Sequence, residues 1–260
     1  MEHDRTDREG GGSLVDPGYS SGDYFEDSGR HSEDAEFKAG NFVSLFLRFA
    51  EQNKLTIQSL VDVGCGSGRV VKIIADTLKS KGYDPLEVKG YDVSPHVRHI
   101  ENEGVEYIHA DFCQADEFVD LVTLFDVFEH VPDPVAFIRL VARRCRIVAF
   151  HIPLDNSLNN AVRNNFRSKL KNPGHLIFMD STDALNLLAL AGLRVMDYEY
   201  TVGFLAPSGR SSALSKVVLP FRYLLFKISP WLLSKTIGGA SLMVIAVTPS
   251  GLRDMQSADE

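Results

Sequence analysis

The 260 residues are 44% hydrophobic and 24% charged, the balance of an ordinary globular chain with room for one large α/β core. Three widely spaced cysteines, Cys65, Cys113 and Cys145, support neither a disulfide framework nor a CxxC metal motif, so a reducing, cytoplasmic setting and no metal are expected. No apolar stretch behind a basic start reads as a leader, and no run reaches the roughly 18 apolar residues of a spanning helix, so secretion and membrane spanning are not expected.

The net charge of −8 sits at one end. Residues 1–36 hold eleven acids and three basic residues, so the rest of the chain is neutral overall, and no nucleic-acid partner is expected. This tail, with Gly10-Gly11-Gly12-Ser13, has too few apolar groups to offset ordering entropy and is expected to be largely disordered. Tyr19, Tyr24 and Phe25 are exceptions that could fold over a neighbouring site. From Phe37 to Asn53, Phe42, Leu45, Phe46 and Phe49 recur at helical spacing, which predicts a leading helix with one buried stripe.

Leu60 to Val71, LVDVGCGSGRVV, is an apolar run ending in Asp62 and then broken by Gly64, Gly66 and Gly68. It predicts a buried strand, a tight turn and a helix start. Alternate glycines let a ligand approach the backbone, and the first turn of the helix offers unpaired N–H groups, so the loop can cradle a nucleotide-like ligand. The spacing is Gly-x-Gly-x-Gly, with Arg69 where a dinucleotide fingerprint has its third glycine. The helix runs to Lys79 and is closed by Gly82-Tyr83-Asp84-Pro85.

Leu86 to Tyr91 is the second strand. Asp92 at its end either accepts from two ribose hydroxyls or caps the turn at Ser94-Pro95. Val105 to His109 is the third strand, followed by Ala110-Asp111-Phe112. Asp120 to Phe125 is the fourth, running into Asp126-Val127-Phe128-Glu129-His130-Val131-Pro132-Asp133-Pro134. His130 at a strand end, with an ordinary pKa near 6.5, could take a proton from a nucleophile or hold the loop structurally.

Arg146 to His151 is the fifth strand. Beyond Pro153, Leu158, Val162, Phe166 and Leu170 recur every four residues beside a basic row of Arg163, Arg167 and Lys171, predicting one amphipathic helix that Asn172-Pro173-Gly174 stops. Ala184 to Gly192 is a helix and Leu193 to Thr201 the sixth strand. Gly203 to Ile237 contains no acid and carries Arg210, Lys216, Arg222, Lys227 and Lys235 among large apolar groups. Pro220 and Pro230 are each expected at a first helical turn, dividing this segment into short helices. Leu242 to Thr248 is the last strand, and Gly251 onwards a frayed tail.

The glycine loop with its leading Asp62 resembles the first motif of the class I S-adenosylmethionine-dependent methyltransferases. The Glu129-His130-Val131-Pro132-Asp133 block resembles the small-molecule methyltransferases of the ubiquinone-biosynthesis type. The resemblance covers about residues 37–202 plus the last strand. It implies a doubly wound, mostly parallel seven-stranded sheet, the Rossmann-like methyltransferase fold, over residues 37–250, with insertions at 154–175 and 203–237 after strands five and six.

It also implies S-adenosylmethionine as cofactor, held by Asp62, Gly64, Cys65, Gly66, Gly68, Asp92, Val93, Asp111, Phe112 and Phe125, with Asp111 and Phe112 gripping adenine. The pre-domain aromatics would then cap the cofactor, with His31 and Lys38 where that cap begins. The reaction would be O- or N-methylation of a small or lipid-like acceptor, with His130 as candidate base. His175, Arg163, Arg167 and Phe166 would line the acceptor site under a basic, apolar roof formed by the two insertions. That composition suits an acceptor with a greasy and an anionic part, or peripheral contact with an anionic membrane. A second copy of the domain packing there is the competing reading. A nicotinamide-dependent oxidoreductase would share Gly64, Gly66 and Asp92 but not the Glu129-His130 block; a non-catalytic protein that kept the fold is the other alternative.

Overall fold

A computed structural model describes residues 34–205 and 213–257. The chain runs α1 (Ala35–Gln52), β1 (Ser59–Val63), α2 (Arg69–Ser80), β2 (Glu87–Asp92), β3 (Glu106–His109), β4 (Val119–Phe125), α3 (Pro134–Ala142) and β5 (Cys145–Pro153). It continues through α4 (Leu158–Val162), α5 (Phe166–Lys171), α6 (Ser181–Leu190), β6 (Arg194–Val202), α7 (Ala213–Ile228), α8 (Pro230–Thr236), β7 (Ala240–Val247) and α9 (Pro249–Ser257).

The strands form one sheet in the order β3-β2-β1-β4-β5-β7-β6. β1 pairs parallel with β2 and β4, β2 with β3, and β4 with β5. β7 runs antiparallel to both β5 and β6, so β6 points the same way as β1. The first six strands therefore deliver their carboxyl ends to one edge, where an open α/β sheet binds ligands. This is the doubly wound, Rossmann-like arrangement expected from the sequence.

Successive residues of a strand face opposite sides, and here both sides are apolar. Leu121, Ile147, Ala149, Met243 and Ile245 pack with Phe42, Phe46 and Phe49 of α1 and Ile74 of α2. Val122, Leu124, Val148, Phe150 and Val244 pack on the other face with Ile138 of α3 and Leu188 of α6.

Three expectations fail. The single helix predicted from Leu158 to Leu170 is two, because the chain turns at Asn164 (φ +53), a residue type that tolerates the left-handed region. Asn160 ties the break down, donating to the Asp155 carbonyl at 2.8 Å and accepting from Asn165 at 3.1 Å. Leu158 and Val162 are consequently exposed rather than buried.

Pro220 does not start a helix but lies inside α7, whereas Pro230 does open α8 behind the Ser229 cap. The roughly 3 kcal/mol that an internal proline costs is offset by Leu219, Leu225 and Phe226, which pack against Val202, Phe204, Leu233 and Ala240. The frayed tail expected from Gly251 is instead α9. Thr248 Oγ1 accepts from Gly251 N–H at 3.2 Å, Arg146 pairs with Asp254 at 2.9 Å, and Leu252 and Met255 join the core.

Candidate active site

β1 ends against β2, and the turn that follows is built by backbone geometry few side chains allow. Gly64, Gly66 and Gly68 have φ of +74, +53 and +72. A Cβ on Gly64 would come within 2.7 Å of Val127, and one on Gly68 within 2.5 Å of the Tyr107 hydroxyl. Tyr107 donates to the Gly68 carbonyl at 3.1 Å and fixes the start of α2.

Asp92 ties this loop to β2. One carboxylate oxygen accepts from Gly66 N–H at 2.9 Å, the other from Ser94 N–H at 2.8 Å. Ser94 itself caps the short 3-10 turn Pro95–His99. Burial pushes the Asp92 carboxyl up from its ordinary value, partly opposed by the two N–H groups. Asp62 is buried too and accepts from the Thr123 hydroxyl at 2.6 Å; burial pushes it up to about 7.

The loop opens onto a cavity of about 520 Å³ lined by Asp62, Gly64, Cys65, Gly66, Asp92, Val93 and Phe125. His130 and His175 line it as well. So do Lys38, expected at the start of the cofactor cap, and Asp126, His151, Ser241 and Gly203, to which the sequence alone assigns no role. Gly68 is not on the wall and acts from behind, as the cap of α2.

Asp111 and Phe112 lie elsewhere. Asp111 turns back to cap Cys113 N–H at 2.9 Å, and Phe112 is buried in the core with its ring 5.2 Å from that of Tyr91. Arg163 and Arg167 are exposed and do not reach the cavity, and Phe166 packs instead on Phe178 at 4.9 Å. Tyr19, Tyr24, Phe25 and His31 fall outside the described residues.

Two polar clusters meet in the cavity. In the first, Asp126 holds Lys38 Nζ of α1 at 2.5 Å and His151 Nδ1 of β5 at 2.7 Å, and His151 Nε2 meets the Thr201 hydroxyl at 3.1 Å. Burial alone would raise the Asp126 carboxyl, but the neighbouring His151 and Lys38 overcome it and hold it far below the usual range. Burial likewise opposes charge on Lys38, and Asp126 more than compensates. Asp126 does this from a left-handed backbone (φ +56), which aims its side chain back at β5.

The second cluster is the Glu129-His130 block, folded as a 3-10 turn and followed by α3, which Asp133 caps and Pro134 opens. His130 Nδ1 lies 3.0 Å from the Gly174 carbonyl and must donate to it, leaving the lone pair of the neutral ring on Nε2. His175 Nδ1 meets Asp155 at 2.6 Å, Asp155 is also paired with Lys169 at 2.8 Å, and the two imidazoles stand 4.9 Å apart. Glu129 is fully buried, and neither of its carboxyl oxygens has a hydrogen-bond partner among the described residues. Burial first, and Asp126 second, push its pKa well up, toward the neutral acid.

No metal is expected from the cysteines, yet Glu129, His130 and His175 each bring one ligating atom to within 4.8 Å of the others. Such a set can share protons or accept a cation. Nothing in the sequence marks Asp126 or His151 as a pair, since each simply follows or ends an apolar strand run. That position, at the carboxyl edge of a parallel sheet, was the available signal.

The comparisons with known proteins agree with this geometry. A family model described as a methyltransferase domain matches residues 34–198. A ubiquinone biosynthesis O-methyltransferase of Nitrosomonas europaea is 30% identical over 100 residues, covering 34% of this chain and 40% of that protein. Its namesake from Yersinia enterocolitica is 28% identical over 94 residues, 33% of this chain and 37% of the other. The match thus spans about two fifths of these curated relatives.

Among solved structures, the N-methyltransferase NodS of Bradyrhizobium japonicum, in complex with S-adenosylhomocysteine, superposes with a TM-score of 0.52 at 14% identity, covering 90% of this chain and 100% of that one. The plantazolicin methyltransferase BpumL gives 0.53 at 14% identity, covering 88% of each. At such identity the likeness speaks for the fold. The family match covers more than half of the chain: this chain belongs to the methyltransferase domain family.

Proposed function

We infer that the cavity binds S-adenosylmethionine and passes its methyl group to an oxygen or nitrogen of a small or lipid-like acceptor. The observation that carries this reading is the convergence of the glycine loop, anchored through Asp92, with the imidazoles of His130 and His175 on one cavity. The cavity fits the cofactor. The backbone at Gly64 and Gly66 is bare, Asp92 offers its remaining lone pairs to ribose hydroxyls, and Phe125 and Val93 supply apolar wall. When bound, the cofactor supplies a methyl group made electrophilic by its sulfonium.

The protein's part is alignment and proton management. Holding nucleophile and methyl in line can be worth roughly 7–11 kcal/mol in well-oriented systems. His130, with its Nδ1 proton committed to Gly174, presents Nε2 to take a proton from an acceptor hydroxyl. His175 is oriented by Asp155 in the same way. Arg163 and Arg167 stand outside the cavity, where they would meet only an anionic part of the acceptor that projects from it. The free, unpaired cysteines suit a cytoplasmic setting. None of the described helices is long and apolar enough to cross a membrane.

Titration calorimetry with S-adenosylmethionine and with NAD tests the cofactor, and transfer of labelled methyl to a phenol bearing an isoprenoid tail tests the acceptor class. Binding of NAD in place of S-adenosylmethionine overturns the reading. Methylation of polar small molecules alone removes the lipid-like acceptor.

A further inference from the structure

Glu129 belongs to neither the cofactor loop nor the Lys38-Asp126-His151 cluster. It is 0% exposed, and neither of its carboxyl oxygens has a hydrogen-bond partner among the described residues. Burying a carboxyl without a donor is costly, and folds that keep such a group keep it for something that pairs with it, a catalytic role or an ion. One of its oxygens, one nitrogen of His130 and one of His175 all lie within 4.8 Å of one another. Two ligands of a single cation at about 2.1 Å stand at most about 4.2 Å apart, so shifts of roughly 0.6 Å close this set around one ion.

The two imidazoles are held in the way metal ligands are held. A ligating histidine gives its other ring N–H to a carboxylate or a backbone carbonyl, which fixes both tautomer and orientation. His175 Nδ1 meets Asp155 at 2.6 Å and His130 Nδ1 meets the Gly174 carbonyl at 3.0 Å, so Nε2 is the nitrogen each ring can offer. Asp155 is fixed in turn by Lys169 at 2.8 Å. The two segments are tied together at the same point, where the Leu176 N–H donates to the Glu129 carbonyl at 2.8 Å. His130 and His175 both line the cavity, so an ion between them faces it.

We propose that Glu129, His130 and His175 form a binding site for one divalent cation in the wall of the cavity. Two imidazole nitrogens and one carboxylate oxygen suit Zn²⁺ better than Mg²⁺, which prefers oxygen ligands and bound water. Three protein ligands leave a coordination position open to the cavity, where a hydroxyl oxygen of the acceptor binds and gives up its proton to water more readily. With the cation present the His130 lone pair holds the metal; without it His130 remains the base. The place of the hydroxyl on the cation rests on the proposed methyl transfer, whereas binding of the cation does not.

The test uses the full chain without an affinity tag, stripped with a chelator and titrated calorimetrically with ZnCl₂ and with MgCl₂. The wild type is expected to bind one Zn²⁺ per chain, at least about 100-fold more tightly than Mg²⁺. Glu129→Gln and His175→Ala should each weaken Zn²⁺ binding by more than about 100-fold, and Asp155→Asn, which only reorients His175, by about 10–100-fold. Zn²⁺ at about 100 times its dissociation constant should raise the melting temperature of the wild type and leave that of Glu129→Gln unchanged. Circular dichroism reports whether each variant is folded, and if one ligand variant is not, the other carries the test.

Absence of stoichiometric Zn²⁺ binding by the wild type overturns the proposal. So does wild-type affinity in the folded ligand variants, or tighter binding of Mg²⁺ than of Zn²⁺. Calorimetry with S-adenosylmethionine on the same samples separates this site from the proposed function. Cofactor binding without Zn²⁺ binding sinks only the cation site, and the reverse sinks only the proposed function.

Discussion

Replacing Asp92 tests whether the cofactor loop is held by one side chain. The carboxylate is the acceptor for two backbone N–H groups, Gly66 at 2.9 Å and Ser94 at 2.8 Å. Asp92→Ala strands both. A hydrogen bond to a charged group contributes about 1.5–3 kcal/mol, so the gross loss is about 3–6 kcal/mol. Two effects reduce it: burial already penalises the charged carboxylate, and the adjoining cavity lets water reach Gly66. The net expectation is about 3 kcal/mol, which for a domain of this size lowers the melting temperature by about 6–12 °C. Asp92→Asn keeps one acceptor oxygen and should lose about half as much. Thermal melts and urea titrations measure the stability, and calorimetry with S-adenosylmethionine should register at least a tenfold weaker affinity in Asp92→Ala. If both variants melt within about 1 °C of the wild type, Asp92 does not anchor the loop and the geometry has been misread.

Asp62 gives the chain a pH dependence of definite sign. Its folded pKa of about 7 lies above the ordinary 3.8, so the folded state keeps the proton longer than the unfolded one, and stability falls as pH rises from about 4 to about 7. Asp62→Asn, which keeps an acceptor for Thr123, should lack this slope. It should match the wild type near pH 4 and exceed it by up to about 4 kcal/mol near pH 8 in urea titrations; equal stability at both pH values refutes the burial argument. His130→Ala should cut turnover of a hydroxyl acceptor by roughly 10²–10⁴ while calorimetric affinity for S-adenosylmethionine stays near that of the wild type, and a loss of stability without loss of turnover would make the imidazole structural. Gly68→Ala drives a Cβ onto the Tyr107 hydroxyl at a left-handed backbone, and should lower stability by about 1–3 kcal/mol; an unchanged melting temperature would show that Tyr107 moves aside freely.

By itself the sequence determined the parts whose meaning is local. An apolar run closed by Gly64, Gly66 and Gly68 dictates strand, left-handed turn and helix, because glycine alone enters those backbone angles without strain. The order of strand and helix signals from Leu60 to Thr248 dictates a doubly wound sheet, and with it the edge on which Gly64, Asp92, Phe125 and His130 gather. Tertiary structure decided whatever depends on which distant elements touch. Lys38, Asp126, His151 and Thr201 come from α1, the turn after β4, β5 and β6, and no spacing in the chain relates them. That Asp111 caps Cys113 N–H, that Phe112 packs in the core and that neither lines the cavity is likewise set by the folded turn after β3. The stripe from Leu158 to Leu170 has helical periodicity throughout, yet the hydrogen bonds of Asn160 break it and leave Arg163 and Arg167 away from the cavity. Periodicity describes one segment against an average surroundings. The actual surroundings, Asp155 and Glu129 buried beside two imidazoles, exist only once β5 and the turn after β4 are folded together.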